Sequence, residues 1–417
     1  MNSLDADVVI VGAGIAGCSA AIAAAKEKKK VIVIERSENI GGNATQSNVG
    51  TICGAYYRSF SEVARIAGYT FSNDFLNKLI SVSDNCQPKH FHKGLFILSY
   101  EWSVLQSFLE AELLANGIQI MRSTELISVE KKMHSVSKLG IKTGNVIVNI
   151  FPKAVIDCSG NGIVSQLAAS EMIVSSYYQS ASQVFRMQGV LSDNEFSLNM
   201  SLKKAMIILV KKNNWPQSFV FLSVVPGSLK NGQADFKITF PDKITDSDDA
   251  NNALYIKART QIENVFPHLK NEVEGLKNAF LETIFPKLGI RTLQRPKGKY
   301  ILTEEDVLSC KKMNSGIALG TWPMEEWQSD GNVLMEYFET DDAYMIPADC
   351  LISFDLDNLF FAGKNISATT KAIASARVMG TCLQTGYASG KIASCETAEK
   401  RELMIALLNK ELLIGNE

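Results

Sequence analysis

The chain has 417 residues, of which 46% are hydrophobic and 21% charged, and 42 Lys+Arg stand against 44 Asp+Glu for a net charge of −2. That composition excludes a disordered, collagen-like or membrane-spanning chain, and the charge balance gives no global pull toward nucleic acid or anionic lipid. At about 150 residues per domain the length allows two or three domains, and two is the expectation.

Eight cysteines (Cys18, Cys53, Cys86, Cys158, Cys310, Cys350, Cys382 and Cys395) are scattered without any C-x-x-C. In so long a chain they read as free thiols of a reducing compartment, so a cytoplasmic protein is expected. The start, MNSLDADVVIVGAG, lacks a basic region and is not a signal peptide. No apolar run approaches the roughly 18 residues of a membrane span. The strongest is Ala205 to Val210.

In chain order, Asp7 to Val11 reads as a buried strand, Ile15 to Lys26 as a small-residue helix, and Val31 to Ile34 as a second buried strand ending at Glu35. The loop Gly12-Ala13-Gly14-Ile15-Ala16-Gly17 between the first two is a G-x-G-x-x-G, with an acid about 20 residues on, as in a dinucleotide-binding βαβ unit. Gly12 makes the tight turn, Gly14 lets a pyrophosphate approach the backbone, and Gly17 lets helix and strand pack. The helix N-terminus would hold the phosphates, and Glu35 would accept from a ribose. Arg36 follows, then Gly41-Gly42-Asn43-Ala44-Thr45, a glycine-rich loop suited to running its backbone along a dinucleotide. Thr45, Gln46 and Ser47 are then expected beside the ring system.

Helices are expected at Ser61–Ala67, Asn73–Ser81 and Glu101–Ala115, and strands at Gly94–Leu98 and Ile118–Met121. A meander of Leu126–Glu130, Ser135–Ile141 and Asn145–Ile150 follows, then a strand at Ala154–Cys158, the turn at Gly160 and a helix. From Ala168 the composition changes, with strands expected at Phe219–Val224 and Asp235–Thr239 and helices at Asp249–Val265 and Leu269–Ala279. Asp246-Ser247-Asp248-Asp249 reads as an acidic helix start. Asn358–Ala362 is a strand leading to Gly363, and a small-residue helix starts near Ala372, containing Arg377-Val378-Met379. Its free N–H groups would favour the electron-rich edge of a bound cofactor. From Thr397 the tail is an amphipathic helix with Leu403/Leu407 and Met404/Leu408/Leu412, read as a docking helix.

The segments VVIVGAGIAG, IGGNAT, VIDCSGNGIVSQLA, LGIRTLQRPKGKYILTEEDVLS and NLFFAGKNISATTKAIASARVMGTCLQTGYASG together resemble a bacterial FAD-dependent oxidoreductase family. That family lies in the glutathione-reductase-like, two-dinucleotide-binding-domain flavoprotein superfamily. The resemblance implies an α/β fold with a Rossmann-like FAD domain, a β-meander and an inserted α+β substrate or cap domain. The expected division is 1–167 with 286–396 for FAD, 168–285 for substrate, and 397–417 for the terminal helix. FAD contacts carried over are Gly12, Gly14, Gly17, Glu35, Arg36, Gly42, Asn43, Ala44, Gly160, Gly363, Arg377, Val378 and Met379. Arg291 and Arg295 are carried over to the catalytic face. Thr370 stands where the family has His, and Leu293 and Gln294 replace a polar pair, changes that bear on the substrate end.

With FAD supplying the redox chemistry, the protein must supply binding, orientation and a base. Without paired cysteines there is no disulfide-reductase motif, and no second strand–G-x-G-x-x-G–helix provides for NAD(P)H. The simplest expectation is dehydrogenation of a small organic metabolite, with oxygen or a partner protein as electron acceptor. The alternatives are a monooxygenase fed by free NAD(P)H or a partner reductase, and a catalytically altered flavoprotein. Arg291 is the first candidate to hold a carboxylate or an enolate, with Arg295 second. Tyr56, after the flavin loop, could donate to substrate. His90 and His92 form an H-x-H that lacks a third ligand, since His134 and His268 lie in unrelated segments, so no metal is expected.

Overall fold

The computed structural model describes residues 2–84, 86–245 and 247–414. Asp246 of the expected acidic helix start and residues 415–417 of the tail lie outside them.

Strand β1 (Asn2–Val11) leads into helix α1 (Ile15–Lys26) and strand β2 (Val31–Ile34). Helix α2 (Trp102–Ala115) and strand β3 (Gln119–Met121) come next, then the meander β4 (Thr124–Lys132), β5 (Ser135–Thr143) and β6 (Val146–Asp157). The sheet order is β3-β2-β1-β6-β5-β4, parallel as far as β6 and antiparallel beyond it. A late strand, Leu359–Phe361, returns to pair in parallel with the end of β6, Phe361 opposite Asp157. Both chain halves therefore build one sheet. Val9, Ile32, Val155 and Phe361 bury its one face, and Ile10, Val33 and Ile156 the other. Parallel strands buried on both sides read as continuous apolar runs, which is why they were legible.

β6 is one strand where two were expected. Pro152 interrupts the sequence pattern but sits in register with Ala6, so the strand continues past it. Ser61–Ala67 is not a helix. The Ser59 and Ser61 hydroxyls accept from the N–H groups of Ser61 and Val63, and Tyr57 and Ala67 pair with Arg65 and Ala55 across the loop. Such local side-chain bonds compete with helix formation.

A second core is formed by residues 181–293. Strands β7 (Ala181–Gln188), β8 (Ser223–Val224), β9 (Gln233–Phe240) and β10 (Phe280–Ile284) make an antiparallel sheet in the order β8-β9-β7-β10. Helices α3 (Glu195–Asn213) and α4 (Asp248–Glu272) cover it. The expected strand at Phe219–Val224 is mostly a 3-10 turn at Gln217–Phe221. α4 runs through Pro267, where a break was expected, and starts behind a Ser247 hydroxyl that accepts from Ala250 N–H. α3 carries its apolar residues on more than one side and gave no clear period.

Near the end, a hairpin of β11 (Met324–Trp327) and β12 (Val333–Glu336) precedes the late strand β13 (Leu359–Phe361), helix α5 (Met379–Ala393) and helix α6 (Ala398–Ile414). α6 buries Leu408 and Leu412 and leaves Leu403 and Leu407 exposed. Its Asn409 amide donates to the carbonyls of Met313 and Gly316, so the tail is docked. No described helix is long and apolar enough to cross a membrane.

Candidate active site

The turn after β1 is built by its glycines, each for a different reason. Gly12 has φ +100°, and a Cβ there would lie 2.7 Å from the Cys158 carbonyl oxygen. A Cβ on Gly17 would run into the Gly12 carbonyl. Gly14 differs, since nothing lies within 4 Å of its Cβ position. Protein packing does not require glycine at 14, so its bare backbone faces open space at the first turn of α1. That turn has no side-chain cap and no acidic residue. Ala13, Ile15 and Ala16 are buried around it.

Glu35 is buried, and its two oxygens accept from Ala13 N–H and Ser37 N–H, both at 2.8 Å. Arg36 follows at the surface. The second glycine turn is stitched to the first, with Gly41 N–H donating to Ala13 O at 2.8 Å and Gly42, at φ +58°, lying against Gly14. Asn43 donates to Ile290 O and Ala44 O accepts from the Tyr100 hydroxyl. The side chains of Thr45, Gln46 and Ser47 are engaged by backbone. They donate to the carbonyls of Ile40, Asn39 and Leu288, which pins the loop instead of leaving it free. Gly160 (φ +82°) sits against the Lys364 side chain, and Gly363 (φ +65°) against Ala16. Asp157, fully buried, ties these turns together by accepting from Ser159, Val164 and Asn365.

The expected small-residue helix is broken at Arg377-Val378, and Met379 opens α5. α5 packs along α1 through Gly386 on Ala16 and Gly390 on Ala20, so no Cβ fits at either glycine. The two helices run the same way and aim uncapped N-termini toward the same side. At that end Arg377 Nε and the Thr381 hydroxyl are buried without a partner. Bare N–H groups, an open Gly14 and orphaned donors form a set that fits a pyrophosphate at α1 and an electron-accepting ring at α5.

Beside α5 the half-buried side chains of Glu325, Trp327, Arg291, Lys237, Arg377 and Lys364 converge, and the space they face is the candidate cleft. Glu325 is gripped by two indoles, from Trp322 Nε1 at 2.7 Å and Trp327 Nε1 at 2.6 Å. Burial alone would raise its pKa, but Arg377, the Trp322 indole, Arg291 and Lys237 outweigh that and hold it below the usual range. Arg291 and Lys237 both lie on the Trp327 ring, 4.4 and 4.3 Å from its centroid. Burial, with Arg291 adding repulsion, pushes Lys237 down to about 8. Burial, with Arg377, takes Arg291 to about 9, still charged at neutral pH. Toward the glycine turns, Lys364 is brought to about 8 by burial and then by Arg377. Cations thus line the cleft from Lys364 through Arg377 and Arg291 to Lys237.

Residues 175–180 strap this arrangement. Ser175 accepts from Arg295, Ser176 N–H donates to Thr370, Tyr177 donates to Glu326, Gln179 accepts from Arg377 and Trp327 N–H, and Ser180 O accepts from Arg291. Of the three residues expected at the catalytic face, only Arg291 is in the cleft. Arg295 is fully buried behind the strap, bonded to Ala368 O and Ser175. Tyr56 is buried in the core against Phe96, its hydroxyl without a partner among the described residues. His90 lies at the surface on Phe96. Lys237, Glu325, Trp327, Gln179 and Lys364 were not singled out from sequence for any role here. The one available signal was a lysine set between the buried Phe236 and Ile238 of a strand.

The FAD dependent oxidoreductase family model matches residues 7–412, and the chain belongs to that family. A comparison with curated proteins finds no match. Among solved structures, the chain is similar to CabE, an aromatic hydroxylase from angucycline biosynthesis, at 11% identity and a TM-score of 0.51, over 99% of this chain and 68% of that one. It is similar to OxyS anhydrotetracycline hydroxylase from Streptomyces rimosus at 12% identity and a TM-score of 0.50, over 97% of this chain and 65% of that one. A geranylgeranyl bacteriochlorophyll reductase-like protein from Thermoplasma acidophilum gives 14% identity and a TM-score of 0.49, over 99% and 86%. At these identities the likeness is one of fold. The protein is an enzyme, an FAD-dependent oxidoreductase, with FAD as its cofactor.

Proposed function

We propose that the chain is a monooxygenase-type flavoenzyme of the glutathione-reductase-like superfamily, acting on a small organic molecule held between the FAD domain and the 181–293 core. When bound, FAD supplies two-electron transfer and, once reduced by NAD(P)H or a partner reductase, reaction with oxygen. The pyrophosphate would rest on Gly12–Gly17 and the first turn of α1, with Glu35 and Arg36 toward the ribose, and with Gly42, Asn43, Ala44, Gly160 and Gly363 along the chain. Arg377-Val378-Met379 and Thr381 would face the ring. Residues 168–285 would form the substrate domain. Eight unpaired cysteines favour a reducing, cytoplasmic setting.

One observation carries the choice of oxygen transfer over the simpler dehydrogenation expected from sequence. Glu325, the carboxylate of the cleft, accepts from two indoles and is held below the usual range, so it is a poor base for taking a proton from substrate. A fold shared with two hydroxylases agrees with that reading. The strap 175–180 holds Arg377 and Trp327 through Gln179, and a substrate seated beneath it would be shielded from water, which suppresses loss of a reactive intermediate. Dehydrogenation is the second reading, favoured by Lys237, which near pH 8 could take a proton.

The test is holoenzyme in air with NADH or NADPH and a library of small aromatic acids and their neutral analogues. Substrate-stimulated NAD(P)H oxidation with 18O from labelled oxygen in the product is expected. Anaerobic bleaching of the flavin by a substrate alone would overturn this reading in favour of dehydrogenation.

A further inference from the structure

We propose that Lys237 and Arg291, spaced by the Trp327 ring, form the anion-binding end of the substrate cleft, so that the substrate is a small organic anion, a carboxylate or phosphate ester. The inference deepens the proposed function and rests on it for the identity of the cleft.

The argument starts from a contrast within one sheet. Arg186 and Asp235 are cross-strand partners in β7 and β9, and Lys237 follows two residues on, so Asp235 and Lys237 share a face. Arg186 is fully provided for, with a bidentate pair to Asp235 at 2.6 and 2.9 Å and a contact to Glu101 at 2.9 Å. Asn48 completes Asp235 at 2.7 Å. Lys237, on the same face, has no hydrogen-bond acceptor and no carboxylate partner among the described residues. Its contact is the Trp327 ring, shared with Arg291. Neither Arg291 nor Arg377 makes an ion pair with a carboxylate among the described residues. Arg291 donates to Ser180 O, and Arg377 to Gln179 and Glu325 O.

Deep cations are normally paired, and a shared aromatic face is a weak substitute for a carboxylate. Glu325 offsets part of that charge but makes no direct ion pair, because its oxygens are turned to the two indoles, and one carboxylate stands against three cations. The cofactor's pyrophosphate would offset charge at the Lys364 end, beside Gly160, and leave the Lys237 end uncompensated. An anion there completes the pairing. Its organic body would extend past Arg377 toward the start of α5, where the flavin ring would lie.

The experiment is titration of the purified holoprotein with benzoate, phenyl phosphate and neutral benzamide, followed by flavin difference spectra and tryptophan fluorescence. The two anions are expected to perturb both signals, and benzamide neither. Lys237 faces Arg291, Glu325 and Cys53. Because its ammonium binds the anion, affinity falls as pH rises through about 8 in the wild type. Lys237→Met is expected to weaken anion binding at least tenfold and flatten that pH dependence, while Lys237→Arg restores affinity without it. Anions that bind no better than benzamide, no anion binding at all, or Lys237→Met within twofold of wild type would each overturn the proposal. A protein purified without FAD would sink the flavin reading alone, since tryptophan fluorescence still reports on the anion site.

Discussion

Glu325 is the test of how the cleft is held together, and Glu325→Gln is the sharpest perturbation because shape is nearly unchanged. The carboxylate accepts one indole N–H on each oxygen, at 2.6 and 2.7 Å. A hydrogen bond to a charged group contributes about 1.5–3 kcal/mol. The amide keeps one acceptor, in a neutral bond of about 0.5–1.5 kcal/mol, and sets an N–H donor against the other indole. An orphaned buried donor costs a further ~1–3 kcal/mol. The sum is a loss of about 3.5–7.5 kcal/mol, which grows if the three cations around the site feel the missing charge. The assay is urea unfolding of holoprotein by circular dichroism. A loss within about 0.5 kcal/mol, the range of ordinary surface substitutions, would refute the indole clamp. The sign with pH is also fixed. Glu325 has a lowered pKa in the fold, so its contribution is present above the ordinary glutamate value and is lost as pH falls through the lowered one. Glu325→Gln should remove that part of the acid sensitivity.

Gly14→Asp should fold normally yet purify without FAD, because its Cβ meets nothing within 4 Å in the protein and only a bound phosphate would repel it. An unchanged flavin-to-protein absorbance ratio would refute the site. Gly17→Ala should instead destabilise the apoprotein, read as a lower Tm, because its Cβ meets the Gly12 carbonyl. Arg186→Met leaves Asp235 buried and unpaired at a cost of about 3–5 kcal/mol, and limited proteolysis should then cut between the two cores. Lys364→Met should weaken FAD binding, measured by flavin fluorescence. Wild-type affinity should fall as pH rises past about 8, where the Lys364 ammonium is lost.

The glycine turns of the proposed flavin site were legible because phosphate recognition uses backbone. Backbone approach demands glycine at fixed spacing, so Gly12, Gly14, Gly17, Gly42, Gly160 and Gly363 announce themselves in one dimension. Thr45 shows the limit of that logic. A small polar residue beside a glycine turn reads as a ligand contact, yet its hydroxyl is taken by Ile40 O inside the loop. Tyr56 and Arg295 fail for a related reason. Sequence position placed them near the site, while the Tyr56 hydroxyl is buried without a partner among the described residues and Arg295 is bonded to Ser175 and Ala368.

The proposed substrate half was not legible because it is convergent. Lys237 comes from a strand of the second core, Arg291 from the return crossing, Glu325 and Trp327 from a hairpin, and Arg377 from a helix break. No spacing relates them. The departures from the family pattern fall in the same region but act through the strap. Thr370 accepts from Ser176 N–H, Gln294 is buried in a short pairing with Val174, and Leu293 packs on the second core. Thr370 and Leu293 both bond the strap, Leu293 O accepting from Ser175 N–H, so a change there is expected to alter how residues 175–180 lie. Specificity in this chain should therefore follow the strap and not the FAD contacts. A Thr370→His change should alter which anion binds while flavin retention stays constant, and a change in both would show that strap and cofactor are coupled.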